Sequence, residues 1–418
     1  MLIRLARRSL WNRRITLLLT LISLTVSIAL VLGIHHIKNQ ARSSFGQTLS
    51  GTDLIVGARS GQLNLLLYSV FRIGNATSNM TWQSYEELAR HRSVAWTVPL
   101  SLGDSHKGYR VLGTLPVYFE HYRFGGNRLL EFSQGKAFDD LYDAVLGAEV
   151  ARQLGYQLDD ALVLAHGTGA VNLHHHSDQP FRVSGILKAT GTPVDRTIHI
   201  SLAGMEAIHV NWQQGMPMPG KNLSAEKIRQ MELVPKSITA TLVGLNTKAA
   251  TFTLQRQINQ YRQEPLLAIL PGVALSELWQ MLGTVEQLLW LISLMVLVAA
   301  LIGMTTSLLA SMNERQREIA ILRATGAGAR HIFLLIELEV LLITLVSMVA
   351  SIIFLTVGLF LAQPLLAAKA GLFIAINPLQ KETLGLLACI PAIALVLGLI
   401  PASLAYRRAL HEGLSQRL

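Results

Sequence analysis

The chain has a single cysteine in 418 residues, only 6% aromatics and 15% charged residues. It also has no Gly-x-x-x-x-Gly-Lys-Ser/Thr phosphate loop. With Cys389 alone there is no disulfide framework and no zinc-thiolate cluster. Without the phosphate loop, ATP hydrolysis of that type is not encoded here: Gly135-Lys136 and Gly220-Lys221 lack the rest of the pattern. The net charge of +10 comes without a basic patch interleaved with aromatics, which excludes a nucleic-acid partner.

Hydrophobic residues make up 51% of the chain. That is too apolar for a soluble protein of this length and too polar for one lying wholly in the bilayer. Four runs reach the roughly 20 residues that a spanning helix needs: Ile15 to Ile37, Leu288 to Ser311, Ile332 to Leu361 and Leu384 to Leu404. Arginines cluster on one side of these spans. Arg4, Arg7, Arg8, Arg13 and Arg14 precede the first, Arg315, Arg317, Arg323 and Arg330 lie between the second and third, and Arg407, Arg408 and Arg417 follow the fourth. By the positive-inside rule both termini and the 312–331 loop are cytosolic. The first run is longer than a secretory h-region and lacks a small-x-small site before His35, so it reads as an uncleaved anchor.

The expected organisation is therefore a cytosolic N-terminal helix at 1–14, spans at 15–37, 278–311 (with a stalk), 332–361 and 384–405, and a cytosolic coupling helix at 312–331. An extracytoplasmic α+β domain with stalk ends fills 38–277, an outer loop 362–383, and a cytosolic tail 406–418. Within the outer domain, Asp53 to Val56, Val94 to Leu100, Tyr109 to Leu112, Ala161 to Leu164, Phe181 to Leu187, Thr197 to Ile200 and Ser237 to Val243 read as strands. Trp82 to His91, Gly147 to Leu154 and Ser224 to Glu232 read as helices, and Gln213 to Asn222 as an internal linker. The lack of a regular βαβ beat argues for α+β modules over one parallel sheet. Leu275, Leu278, Leu282, Val285, Leu289 and Ile292 alternate steps of three and four, the seam of a helical stalk, with Ile37 to Phe45 as a candidate partner helix.

The loop between spans two and three reads Glu314-Arg315-x-Arg317-Glu318-Ile319-x-x-Leu322-Arg323-Ala324-x-Gly326-Ala327. Glu314 with Arg317, and Arg315 with Glu318, can pair across a helical turn; Ile319 and Leu322 supply a packing face, and Gly326 can end the helix. This loop resembles the corresponding one in MacB- and FtsX-like permeases, the type VII or mechanotransmission ABC systems. Glu337 early in span three and Pro401-Ala402 leaving span four are similar to that family, although its usual Pro before the final Ala-Leu is absent. Ala6-x-x-Ser9-Leu10-x-Asn12-x-Arg14, Leu146 to Gly155 and Val183-x-Gly185-Ile186-Leu187 extend the resemblance over nearly the whole chain.

The resemblance implies a non-catalytic permease of the bacterial inner membrane. Its coupling helix would dock on a separate ABC ATPase, with ATP and Mg²⁺ held on that partner, in an assembly of two permeases and two ATPases surrounded by lipid. It further implies either mechanotransmission to a cargo outside the membrane, or a non-transporting scaffold that regulates an extracytoplasmic partner protein, as in FtsX-like systems.

Histidines give the other candidate chemistry. Of 13, 11 lie at or beyond the outer membrane edge, and His166, His174, His175, His176 and Asp178 fall in one short stretch. Imidazoles with a carboxylate suit zinc or copper, and would point to metal-linked cargo. Three consecutive side chains on a regular strand do not converge on one ion, so an exposed polar loop is the competing reading. His199 and His209 are further candidates, each set against solvent exposure or core hydrogen bonding. The His35-His36 pair reads as the interfacial end of the anchor or a ligand pair. Glu337 and Glu339 read as structural carboxylates that pair with N-terminal arginines.

Overall fold

The computed structural model describes residues 14–166, 180–210, 212–213, 216–217, 225–314, 326–370, 379 and 381–411. It divides into two compact units, one of residues 42–281 and one of 1–41 with 282–418.

The first helix, α1 (Arg14–Gln47), runs well past the first apolar stretch. In the inserted domain it is followed by β1 (Leu54–Ala58), α2 (Gln62–Ser69), α3 (Trp82–Ala89), β2 (Val94–His106), β3 (Tyr109–Thr114), β4 (Phe132–Gly135) and β5 (Asp143–Leu146). Then come α4 (Ala148–Leu154), β6 (Ala161–Leu162), β7 (Ala165–His166), β8 (Phe181–Leu187), β9 (Thr197–Ser201) and α5 (Leu202–His209). The domain closes with β10 (Ala240–Leu245), α6 (Thr251–Asn259) and β11 (Leu266–Ile269).

These eleven strands form one mixed sheet in the order β11-β1-β10-β2-β3-β9-β5-β8-β4, with β7 added to β2 and β6 to β8. Only β9 with β3 and β8 with β5 pair in parallel. The α+β expectation holds, but the modules share a sheet. β2 joins them: its first half pairs with β10 and its second with β3, over 13 residues where the sequence suggested seven. One core packs Ile55, Tyr68, Leu100, Leu112, Tyr118 and Ile269, and a second packs Val111, Leu146, Val150, Phe181, Ile198 and Met205.

Local chemistry sets the helix starts. Thr81 Oγ1 accepts from the Ser84 amide ahead of α3, and Ser201 Oγ accepts from the Gly204 amide at 2.9 Å ahead of α5. Gly155, at φ +71°, ends α4. The linker expected at Gln213 to Asn222 lies largely outside the described residues. Its described residues Gln213, Met216 and Pro217 take part in a short antiparallel ladder, Trp212–Gln213 paired with Met216–Pro217.

The membrane unit contains α1, α7 (Pro271–Glu314), α8 (Ala329–Ala370) and α9 (Lys381–His411). Each includes a segment long and apolar enough to span: Arg14–Gln40, Pro271–Ser311, Ala329–Gln363 and Thr383–Arg407. Leu24, Ile28 and Leu32 of α1 pack with Leu297, Leu301 and Met304 of α7, Val340 and Ile343 of α8, and Ile390 and Ala394 of α9. Within these helices the hydroxyls of Ser27, Thr305 and Thr344 donate to the carbonyls four residues back.

Candidate functional site

Two arrangements stand out, one mechanical and one chemical. The mechanical one is built on α7, which is unbroken for 44 residues, about 66 Å at the α-helical rise and roughly twice the thickness of a hydrocarbon core. The α1 ammonium of Lys38 pairs with the α7 carboxylate of Glu286. In the inserted domain, the Arg42 guanidinium lies over the Trp279 ring at 5.9 Å from its centroid. Trp279 in the inserted domain and Glu286 in the membrane unit are thus α7 residues that meet α1.

The apolar seam lies one step round the helix. Leu275 packs against the inserted domain's core and Leu278 is half-buried, while Leu282, Val285 and Leu289 remain 44%, 54% and 45% exposed. α1 extends through Ile37 to Phe45, the stretch expected to partner the seam, and there Lys38 and Arg42 reach the α7 residues Glu286 and Trp279.

α7 ends at Glu314. Arg315, Arg317, Glu318, Ile319, Leu322 and Arg323 lie outside the described residues. Gly326 follows at φ +95°, a conformation that glycine alone adopts without strain, and α8 begins at Ala329. Glu339 is buried and lines a small cavity with Thr16, Thr20, Ser307 and Ser311. Glu337 faces α9: a Cβ added at Gly398 would lie 3.1 Å from its Oε2. The N-terminal arginines expected to meet these carboxylates lie outside the described residues, Arg14 excepted. At the other end of α1, His35 Nε2 and Asn39 Nδ2 are 3.1 Å apart, and His36 is buried.

The chemical arrangement lies between β2 and α5. In the β2–β3 ladder Leu102 pairs with Leu112 but Ser105 with Arg110, so one extra residue bulges at Gly103-Asp104. Asp104 is fully buried. His209, on the last turn of α5, brings Nε2 to 3.6 Å from Asp104 Oδ2, and its Nδ1 lies 2.6 Å from the Met205 carbonyl. Burial pulls the His209 pKa down, but the Asp104 carboxylate and the Met205 carbonyl outweigh it, and the pKa lies above the ordinary histidine value. α5 can approach this closely because β3 carries Gly113, where a Cβ would stand 3.0 Å from Met205 Cβ.

His166 closes β7 in register opposite Asp104. His174, His175, His176 and Asp178 lie outside the described residues, and among the described residues no three His, Cys, Asp or Glu side chains form a metal-sized group. The other two histidines nearby are structural. His106 engages the Val163 carbonyl and the Tyr156 hydroxyl through its two ring nitrogens. His199 is fully buried against Tyr118 and Phe119, and burial, with Arg72 nearby, pushes its pKa down to about 3. Asp104 escaped sequence reasoning; its signal was the glycine before it, which inside a strand marks a bulge.

Four membrane-length helices, with a mixed α/β domain between the first and second, define a multi-pass membrane protein of permease architecture. The family model of the MacB-like periplasmic core domain matches residues 17–261, and that of the FtsX-like permease C-terminal region matches 290–413. The chain belongs to the MacB/FtsX-like family of ABC transporter permeases. Among solved structures it is similar to the periplasmic region of MacB from Actinobacillus actinomycetemcomitans, with 11% identity, TM-score 0.35, and coverage of 55% of this chain and 94% of that one. It is also similar to the extracellular domain of the noncanonic ABC-type transporter YknZ from Gram-positive bacteria, with 11% identity, TM-score 0.29, and coverage of 52% and 99%. No curated protein matches.

Proposed function

We propose that this permease converts ATP hydrolysis on a separate ABC ATPase into movement of its inserted domain, and so acts on a cargo outside the bacterial inner membrane without passing it between its helices. Both termini and the loop around Arg317 face the cytosol, as the arginine distribution supports. Glu314, Arg315, Arg317, Glu318, Ile319, Leu322 and Arg323 form the surface that docks on the ATPase. Two permeases act with two ATPases, which hold ATP and Mg²⁺. The exposed seam at Leu282, Val285 and Leu289 suits contact between the two permeases.

The observation that carries this reading is the continuity of α7 from Pro271, beside the inserted domain's last strand, to Glu314 at the edge of the charged loop. A helix without a break transmits displacement along its axis. Two variants of the full chain, co-expressed with the partner ABC ATPase, test the proposal. Arg317→Glu is expected to abolish co-purification of the ATPase. Gly283→Pro, which breaks the helix hydrogen-bond ladder, is expected to preserve binding and basal hydrolysis while removing function in cells. Retention of the ATPase and of cellular function by both variants would refute the proposal. Hydrolysis stimulated only by an extracytoplasmic protein would favour a regulatory scaffold over transport.

A further inference from the structure

The inserted domain carries a polar cleft that the ATP-coupled movement does not use. It lies between the turn after α2 and the β2–β3 ladder, has a volume of about 250 Å³, and is lined by Tyr68, Asn75, Asn79, Gly103 and Arg110 among others. The β2 bulge at Gly103 interrupts the ladder beside Arg110, whose register partner is Ser105. The turn after α2 is left-handed at Arg72 and at Gly74, with φ +60° and +78°. Gly74 takes that conformation freely, whereas Arg72 is held in it against its preference, and backbone strain of this kind gathers at ligand clamps and active sites.

Arg110 ties this turn to β3. Its Nη1 donates to Asn75 Oδ1 at 2.9 Å and its Nη2 to the Gly74 carbonyl at 2.8 Å. Both acceptors are neutral, so the guanidinium charge has no counter-charge there. Arg72 adds to the imbalance: its Nη1 donates to the Ser69 carbonyl, and its Nε is buried with no hydrogen-bond partner. Burial, and after it the charge of Arg72, hold the Arg110 pKa below the ordinary guanidinium value. Among the described residues no carboxylate pairs with either guanidinium, and Asp104, which follows Gly103 in the chain, is paired with His209.

Two positive charges beside a cleft rich in donors match an anion. Asn75 has its amide oxygen on Arg110, which leaves the amide NH₂ to donate, and Asn79 and Tyr68 add a second amide and a hydroxyl. A carboxylate brings a single charge. A phosphate group brings about −1.5 to −2 at pH 7 and three strong acceptor oxygens, a closer match to two guanidiniums and two amides. The cleft is smaller than the roughly 300–1,000 Å³ of sites that enclose drug-sized ligands, so the phosphate carries little else.

From this arrangement we infer that the cleft binds a phosphate group, free or on a small phosphomonoester, with Arg110, Asn75 and Asn79 as its donors and Arg72 supplying the second positive charge. The inference stands on the inserted domain alone, so it can fail while ATP coupling holds, and the reverse.

The test is calorimetric titration of the full-length chain, purified in an uncharged detergent and phosphate-free buffer, with inorganic phosphate, glycerol phosphate and acetate. One phosphate compound per chain is expected, bound more weakly as salt rises, and the tighter of the two names the source. Arg110→Gln is expected to lower the affinity at least about tenfold, as loss of a hydrogen bond to a charged group does. Asn79 is exposed, so Asn79→Asp puts a carboxylate at the cleft without disturbing the core; it is expected to weaken binding as much, and decides the matter even if Arg110→Gln does not fold. A wild-type chain that binds neither phosphate compound, acetate bound as tightly as phosphate, or an affinity unchanged by Asn79→Asp would overturn the assignment.

Discussion

His199 and His209 have similar local sequence settings and opposite environments. Both are in or beside a strand–helix unit, yet one is sealed among aromatic rings and the other sits on a helix end above a carboxylate. Their spacing in the sequence could not separate them, because the difference comes from β5, β3 and the β2 bulge, all distant in the chain. The buried His199 has a measurable consequence. Its folded pKa, about 3, lies far below the ordinary value near 6.5, so the native ring stays neutral while the unfolded chain takes up a proton as pH falls. Stability is fully present above about pH 6.5 and declines by about 1.4 kcal/mol per pH unit below it. His199→Phe should flatten that decline between pH 6.5 and 4.5 in thermal melts of the full chain; an unchanged slope would place the acid sensitivity elsewhere.

At the scale of elements, the long apolar helices and β8 were legible because their signals are local: uninterrupted hydropathy in the first case, alternation bounded by Pro and Gly in the second. β5, β11 and α5 were not. β5 and β11 are four-residue runs too short for periodicity; β5 takes its strand identity from β9 and β8 on either side, β11 pairs with β1 at the edge of the sheet, and α5 carries Gly204 in a helix whose start depends on Ser201. The docking of α5 depends in turn on Gly113. Adding a methyl there meets Met205 at a distance below ordinary contact, so Gly113→Ala is expected to cost about 1–3 kcal/mol. Urea unfolding of the full chain reads the cost, and an unchanged midpoint would mean that α5 is not held by this approach.

For the whole molecule, the sequence indicated four spans with one large insertion because membrane crossing imposes a length and polarity that no tertiary contact can override. It did not show that the insertion is built on a single sheet, since β2 links the modules only by changing partners midway. Nor did it show that Lys38 and Arg42 of α1 reach Glu286 and Trp279 of α7, while Leu282, Val285 and Leu289 stay exposed.

The central claim is that ATP binding moves the inserted domain. Cys389 is the chain's one native cysteine, so Cys389→Ala gives a clean background for a single spin label at Phe252→Cys, an exposed position on α6. Pulsed electron spin resonance on the permease–ATPase complex then reads the distance between the two labels. A shift of that distance between the nucleotide-free and the ATP-trapped complex, abolished by Gly283→Pro, is the predicted result; an identical distance distribution in both states, in a complex shown to be hydrolysing ATP, would contradict the account.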